Sequence, residues 1–116
     1  EPEKIITPIP LSLVQQQLNA YNARNIEAFL APYAEDVELY DFPDKLMGKG
    51  KESMRKIYGQ MFATLPDLHC EIKERIIQGN TVIDHERVRI RKNSFVEATA
   101  IYKIENGKIQ KVYFIH

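Results

Sequence analysis

The stretch HCEIKERIIQGNTVIDHERVRIRKNSFVEATAIYKIENGKIQKVYFI, residues 69–115, decides the fold of this chain. Apolar and polar residues alternate along most of it, which is the period of a half-buried β-strand. Three turn signals divide it, namely Gly79-Asn80, Lys92-Asn93-Ser94 and Asn106-Gly107. The Asn-Gly pair is the strongest of them, because it favours a two-residue hairpin. The pattern therefore predicts a four-strand antiparallel meander over residues 69–78, 81–91, 95–104 and 109–115.

The first part of the chain has helical spacing instead. Ser12 and Gln15 form a capping-box pattern, which predicts that a first helix begins there. Asn25 is a typical N-cap residue and predicts the start of a short second helix. Pro32 is expected to end this helix, because proline lacks an N–H group and crowds the preceding turn.

A third helix is predicted over residues 50–65, and Pro66 closes it. Between the second and third helices, residues 37–41 have the pattern of a short strand, and Gly48 and Gly50 flank a predicted loop. Helices followed by strands indicate an α+β fold, in which three helices pack on one face of a curved sheet.

Composition excludes several classes of function. The 116-residue chain has 16 basic and 16 acidic residues, so it lacks the basic surplus that nucleic-acid binding requires. Its hydrophobic fraction of 44% is enough for one core without a disulfide or metal. No apolar run approaches the length of a membrane span. We expect a cytoplasmic protein with neither a nucleic acid nor a membrane as partner.

Motifs for cofactors are also missing from the sequence. Cys70 is the single cysteine, so an internal disulfide is excluded. His69 stands beside it, but no second Cys/His pair follows that could complete a zinc site. No glycine-rich phosphate loop occurs. We therefore expect neither a metal nor a cofactor. Residues 1–10, EPEKIITPIP, lack the apolar core of a signal peptide and are predicted to be an extended lead-in to a single domain over 11–116.

The register of the strand at 81–91 decides which charged residues face the helices. One face carries Val82, Asp84, Glu86, Val88 and Ile90, and the other carries Ile83, His85, Arg87 and Arg89. The first face is more apolar, so we predict that it points towards the helices and buries both carboxylates. A buried carboxylate is costly unless it is paired, hydrogen-bonded or protonated. Asp84 and Glu86 are therefore candidate catalytic residues in a pocket, or members of a structural ion pair.

The same alternation predicts a small-molecule cavity between helices and sheet. Ala98, Ala100 and Tyr102 share one face of their strand, as do Val112, Phe114 and His116 in the last strand. Such a mixture of apolar and aromatic groups with a few polar ones is typical of ligand pockets. The predicted lining residues are Tyr21, Phe62, Val88, Tyr102, Val112, Phe114 and His116.

Three segments carry a resemblance to a known family: LVQQQLNAYNARNIEAFLAPYAEDVELYDFP (13–43), GNTVIDHERV (79–88) and IYKIENGKIQKVYFI (101–115). They resemble the SnoaL-like and ketosteroid-isomerase-like branch of the nuclear-transport-factor-2-like superfamily, and its uncharacterised bacterial members most of all. The resemblance implies a cystatin-like α+β fold in which three N-terminal helices pack on a strongly curved, mainly antiparallel sheet that forms a cone-shaped barrel. It also implies a homodimer formed through the outer face of the sheet.

The resemblance further implies a role for Asp41. In ketosteroid isomerases, the aspartate that ends the first short strand is the general base, and Asp41 stands at the matching position. Those enzymes hold the oxyanion with a tyrosine and a protonated aspartate, whose positions are taken here by Gln17 and Ala100. The resemblance thus implies that the chain keeps the base of a steroid isomerase but lacks both of its oxyanion donors.

Two functions fit these residues. The first is an acid–base enzyme of the isomerase, hydrolase or dehydratase type, acting on a small hydrophobic carbonyl, hydroxyl or epoxide compound. Asp41 would be its base, and Glu86 or Asp84 a protonated donor. The second is a non-catalytic binder of a small apolar ligand. An enzyme needs two or more titratable groups within mutual reach around one cavity, whereas a binder can hold a carboxylate neutralised by a structural arginine.

Overall fold

The computed structural model describes residues 9–116, in which three helices pack against a six-stranded sheet. The elements in chain order are α1 (Ile9–Asn22), α2 (Ile26–Leu30), β1 (Tyr33–Asp41), β2 (Lys45–Lys49), α3 (Lys51–Thr64), β3 (His69–Gln78), β4 (Thr81–Arg91), β5 (Ser94–Glu105) and β6 (Lys108–Ile115). The predicted α+β class and the four-strand meander are confirmed.

The order of strands in the sheet is β2-β1-β6-β5-β4-β3. All neighbouring pairs are antiparallel except β1 and β6, which run parallel. The sheet remains open, since β2 and β3 form its two edges within the described residues, and the helices cover its inner face. The main core lies between these layers and includes Phe29, Val37, Met54, Val82 and Ile109.

The start of α1 corrects the predicted capping box. The helix already includes Ile9 and Pro10, so Ser12 lies within it and cannot be its N-cap. The side chain of Gln15 instead accepts a hydrogen bond from Arg75 on β3, at 2.7 Å. Proline is tolerated in the first turn of a helix, because that N–H group has no partner there in any case. The rest of the predicted lead-in, residues 1–8, lies outside the described part of the chain.

The second helix matches its sequence signals. Asn25 is the N-cap of α2, and its side-chain oxygen accepts a hydrogen bond from the backbone N–H of Ala28 at 3.1 Å. The helix ends at Leu30, before Pro32, as predicted.

The segment after α2 differs from the prediction in two ways. Strand β1 begins at Tyr33 rather than at residue 37, and residues 45–49, for which no strand was predicted, form the edge strand β2. The pairing is antiparallel and includes Leu39 opposite Gly48. Strand β2 is largely exposed and has no alternating buried face, so its sequence carries no strand period.

The predicted register of β4 is confirmed. Val82, Asp84, Glu86 and Val88 are buried, while the residues between them are only partly buried. Both carboxylates therefore point towards the helices. Among residues 9–116, no helix is long and apolar enough to cross a membrane.

Candidate active site

A cavity of about 280 Å³ lies between the helices and the sheet, and every helix and strand contributes to its wall. Of the predicted lining residues, the structure places Tyr21, Val88, Tyr102, Phe114 and His116 in this wall. Phe62 and Val112 instead pack in the hydrophobic core, outside the lining. The wall is mostly apolar and aromatic, so the few polar groups that reach it determine its chemistry.

Glu86 is the carboxylic acid in this wall, and its residue is 8% exposed. Strand β4 fixes its backbone between β3 and β5, where it pairs with Ile72 and Ala98. The Tyr102 hydroxyl donates a hydrogen bond to Oε2 of Glu86 at 3.3 Å. No Lys, Arg or His side chain in the described residues forms an ion pair with Glu86. When Glu86 is ionised, its charge is therefore stabilised by hydrogen bonds from neutral groups and not by an ion pair.

A chain of hydrogen bonds leads from the interior to this carboxylate. The Tyr33 hydroxyl donates to Oε1 of Gln17 at 3.1 Å, and Nε2 of Gln17 donates to the Tyr102 hydroxyl at 3.3 Å. The same Nε2 also donates to the backbone oxygen of Val14 at 3.0 Å, which fixes the orientation of the amide. Each link donates in the direction of Glu86, so the chain favours its ionised form.

Burial opposes that preference and outweighs it. Removal from water raises the pKa of Glu86 from its ordinary value of 4.5 to about 7, and the nearby negative charge of Asp84 acts in the same direction. The hydrogen bond from Tyr102, the positive charge of Arg75 and a hydrogen bond from the Cys70 thiol lower the pKa by smaller amounts. Near neutral pH, Glu86 therefore populates both of its protonation states, as a general acid or base requires.

This pKa predicts a pH-dependent stability. Between pH 4.5 and about 7, folded Glu86 keeps a proton that the unfolded chain releases, so its contribution to stability is complete below pH 4.5 and is lost as the pH rises to about 7. The loss amounts to about 3 kcal/mol. Glu86→Gln should remove it, so the variant should gain stability over the wild type between pH 4.5 and 8. Urea unfolding across this range measures the gain, and parallel pH profiles for both proteins would contradict the prediction.

Asp84 has a different environment from Glu86, although both lie on the inner face of β4. Arg75 binds it with two hydrogen bonds, from Nε to Oδ1 at 2.6 Å and from Nη2 to Oδ2 at 2.9 Å. Asp84 is fully buried and does not line the cavity. Nη1 of Arg75 also donates to Gln15, which ties β3 to α1. Of the two alternatives open for Asp84, this geometry matches the structural ion pair.

Asp41 ends β1, as predicted, but its side chain lies beyond the cavity wall. The side chain is 43% exposed, and its Oδ1 lies 3.7 Å from Nε2 of His116. His116 does line the cavity, where it stacks against Phe114. Asp41 and Glu86 are therefore not brought together in one site wall. The base role that the resemblance implies for Asp41 stays a prediction.

Tyr58 is a site residue that the sequence pattern did not single out. It lies on α3 and lines the cavity together with Tyr21 of α1. Among residues 9–116, neither hydroxyl has a protein hydrogen-bond partner, and neither is a buried unsatisfied group. Burial raises the pKa of both hydroxyls, so they keep their protons and can donate to a ligand. Tyr58 lies within the predicted third helix, but helical spacing alone does not distinguish a core tyrosine from a cavity tyrosine.

The remaining candidates for chemistry in the cavity are the Cys70 thiol and a metal site. Cys70 also lines the cavity, but burial raises the pKa of its thiol, which disfavours the thiolate that a nucleophile needs. In the part of the chain that the structure describes, no group of three or more His, Cys, Asp or Glu side chains could hold a metal ion.

Comparison with protein families gives one match. The model of the SnoaL-like domain matches residues 14–112, which is most of the chain. No curated protein matches the chain in sequence.

Solved structures share the fold over nearly the whole chain. An uncharacterised cystatin-fold protein from Novosphingobium aromaticivorans is 25% identical, with a TM-score of 0.84, and the match covers 92% of this chain and 97% of that one. A candidate polyketide cyclase from Sinorhizobium meliloti is 17% identical, with a TM-score of 0.75 and coverage of 89% and 93%. A candidate ketosteroid isomerase from Kribbella flavida is 16% identical, with a TM-score of 0.77 and coverage of 92% and 76%.

Proposed function

This chain belongs to the SnoaL-like domain family, and from its cavity we propose that it is an acid–base enzyme acting on a small hydrophobic carbonyl, hydroxyl or epoxide compound. Glu86 is the group that transfers the proton. The single observation that carries the proposal is the position of Glu86: a buried carboxylate in an apolar cavity wall, bonded to Tyr102 and without a cationic partner among the described residues.

The chemistry follows from the two oxygen atoms of Glu86. Its Oε2 accepts the hydrogen bond from Tyr102, the Cys70 thiol is a weak second donor to the carboxylate, and no N–H or O–H group of the described residues donates to Oε1. Ionised Glu86 accepts a proton at Oε1 from a ligand C–H beside a carbonyl, or from a ligand O–H. It returns the proton to the same or a neighbouring atom of the ligand. Positioned acid–base groups of this kind accelerate reactions by about 10²–10⁴-fold.

Negative charge develops on the carbonyl oxygen of the ligand as the proton leaves the neighbouring carbon. This charge must be stabilised by hydrogen-bond donors. The hydroxyls of Tyr21 and Tyr58 are suitable, because both line the cavity and neither has a partner in the described protein. Both tyrosines line the same cavity as Glu86. These two tyrosines take the role for which Gln17 and Ala100 are unsuited.

The alternative is a non-catalytic binder of a small apolar ligand. Asp84 with Arg75 shows the neutralised carboxylate expected of a binder, but this pair lies outside the cavity wall. Inside the wall, Glu86 and Tyr102 are two titratable groups in direct contact, which favours the enzyme. The structures described as a candidate polyketide cyclase and a candidate ketosteroid isomerase support this choice only in that they share the fold.

Two further features of the protein remain proposals. We propose a cytoplasmic location. We also propose a homodimer that forms through the outer face of the sheet, where Ile76, Phe95 and Ile115 are exposed. Sedimentation velocity at micromolar concentration tests the dimer, and a monomer at every concentration would contradict it.

Hydrogen–deuterium exchange at the carbon atoms of candidate ligands tests the enzymatic function without knowledge of the natural substrate. Small hydrophobic ketones, such as 2-tetralone and substituted cyclohexenones, are incubated with the protein in D₂O, and NMR follows the loss of protons beside the carbonyl. For epoxides and alcohols, the formation of product is measured instead. We expect at least one compound to react faster than in buffer. Binding of several compounds without exchange or turnover of any would instead indicate the non-catalytic binder.

A further inference from the structure

We propose that the cavity is also a binding site for lipophilic amines, with the ammonium group of the ligand paired to Glu86 and its hydrocarbon part against the aromatic wall. Such a ligand is not a substrate of the proposed reaction, which needs a neutral carbonyl, hydroxyl or epoxide compound. The amine would occupy the same cavity as the proposed substrate, but its binding would depend on a different property of the cavity, namely its unbalanced charge.

The charged and titratable groups around Glu86 leave one negative charge without a partner. Arg75 of β3 is the nearby cation, and its N–H groups bind Asp84 and Gln15. The other groups that face Glu86 are neutral near pH 7, because burial raises their pKa: Cys70 of β3, Tyr102 of β5, Tyr33 of β1, Tyr21 of α1 and Tyr58 of α3. His116, directly after β6, shares the cavity wall, and its Nε2 lies 3.7 Å from Oδ1 of Asp41.

An ammonium group would supply the missing counter-ion. A buried carboxylate without a partner is costly, and the cost falls when a cation forms a charge-assisted hydrogen bond with it. Oε1 of Glu86 has no N–H or O–H donor in the described residues and can accept that bond. A neutral ligand of the same shape gains only the apolar contacts.

The aromatic rings of the wall suit the rest of such a ligand. Tyr21, Phe29, Tyr33 and Tyr58 line the cavity and form one continuous cluster. Neighbouring rings in it have centroid distances of 4.8–6.4 Å. Rings attract a cation through their faces and bury the hydrocarbon part of a ligand. A lipophilic amine therefore matches both components of the wall, whereas a strongly hydrated polyamine matches only the charge.

The pairing has a distinct pH dependence. An alkylamine keeps its proton up to about pH 10, as lysine does. Glu86 must lose its proton before the pair can form, so amine affinity should fall about tenfold for each pH unit below the pKa of the carboxyl group. A neutral ligand should lack this dependence.

Calorimetry with a matched pair of ligands tests the proposal. 2-Aminotetralin and the alcohol 2-tetralol have nearly the same shape and differ in charge. At pH 8, the wild type should bind the amine at least about tenfold more tightly than the alcohol, which corresponds to 1.4 kcal/mol. At pH 5.5 this preference should disappear. Glu86→Gln should abolish it at both pH values, while the control variant Glu71→Gln, changed at an exposed position of β3, should keep it.

The outcomes separate this proposal from the enzymatic one. Equal affinity for amine and alcohol, no binding of either, or a preference that persists in Glu86→Gln would overturn the amine site. Ketone exchange without amine preference would leave the enzyme standing and remove only this inference. Amine preference without turnover of any compound would keep the amine site and favour the non-catalytic binder.

Discussion

Glu86→Gln should lower turnover of a substrate found by the exchange assay by about 10²–10⁴-fold, because a neutral amide can neither accept nor return a proton. The substitution keeps the size of the side chain, and the amide oxygen can still accept the hydrogen bond from Tyr102. The fold and the ligand affinity should therefore change much less than the rate. Steady-state kinetics with wild type and variant measure the effect, and a loss confined to kcat supports a role in the chemical step.

Two further variants make this test specific. Tyr102→Phe removes the hydrogen bond that lowers the pKa of Glu86, so the acid limb of the pH–rate profile should shift to higher pH. Asp41→Asn changes a carboxylate outside the cavity wall and should change turnover little. Full activity in Glu86→Gln together with loss in Asp41→Asn would assign the base to Asp41 instead.

Asp84→Ala should lower the free energy of unfolding by about 3–5 kcal/mol, the cost of breaking a buried ion pair from one side. The variant leaves the guanidinium of Arg75 largely buried with only Gln15 as a partner, since the Arg75 side chain is 16% exposed. It also removes two hydrogen bonds that join β3 to β4. Urea unfolding followed by circular dichroism measures the difference.

Two controls distinguish the ion pair from a general effect of mutation. The double variant Asp84→Leu/Arg75→Met replaces both partners by apolar groups and should recover most of the lost stability. Glu97→Ala breaks the exposed pair with His85 and should cost less than about 1 kcal/mol. If Asp84→Ala were no more destabilising than Glu97→Ala, the buried pair would not contribute as described.

Much of the fold could be predicted from short-range sequence patterns. The turn residues fixed the strands of the meander, and the apolar face of β4 placed Asp84 and Glu86 towards the helices. Asn25 marked the start of α2, because an N-cap interaction is local. Such features depend on residues a few positions apart, and the period of the pattern therefore reveals them.

The roles of the two carboxylates could not be separated in this way. Arg75 reaches Asp84 because a β-bulge between Ile72 and Glu74 shifts the register of β3 against β4. Without the bulge, strict alternation from Cys70 would turn Arg75 to the outer face. This one irregular position thus gives Asp84 its cationic partner and leaves Glu86 without one among the described residues. The position carries no signal in the sequence.

The pKa of the Glu86 carboxyl group decides whether this cavity holds an acid that exchanges its proton near neutral pH. ¹³C NMR of the glutamate side-chain carboxyl carbons, recorded from pH 3 to 9 and assigned by comparison with Glu86→Gln, measures it without a substrate. A pKa of about 7 is the expected result. A titration near the ordinary value of 4.5 would show that Glu86 is ionised and well solvated at neutral pH, and would contradict the proposed role.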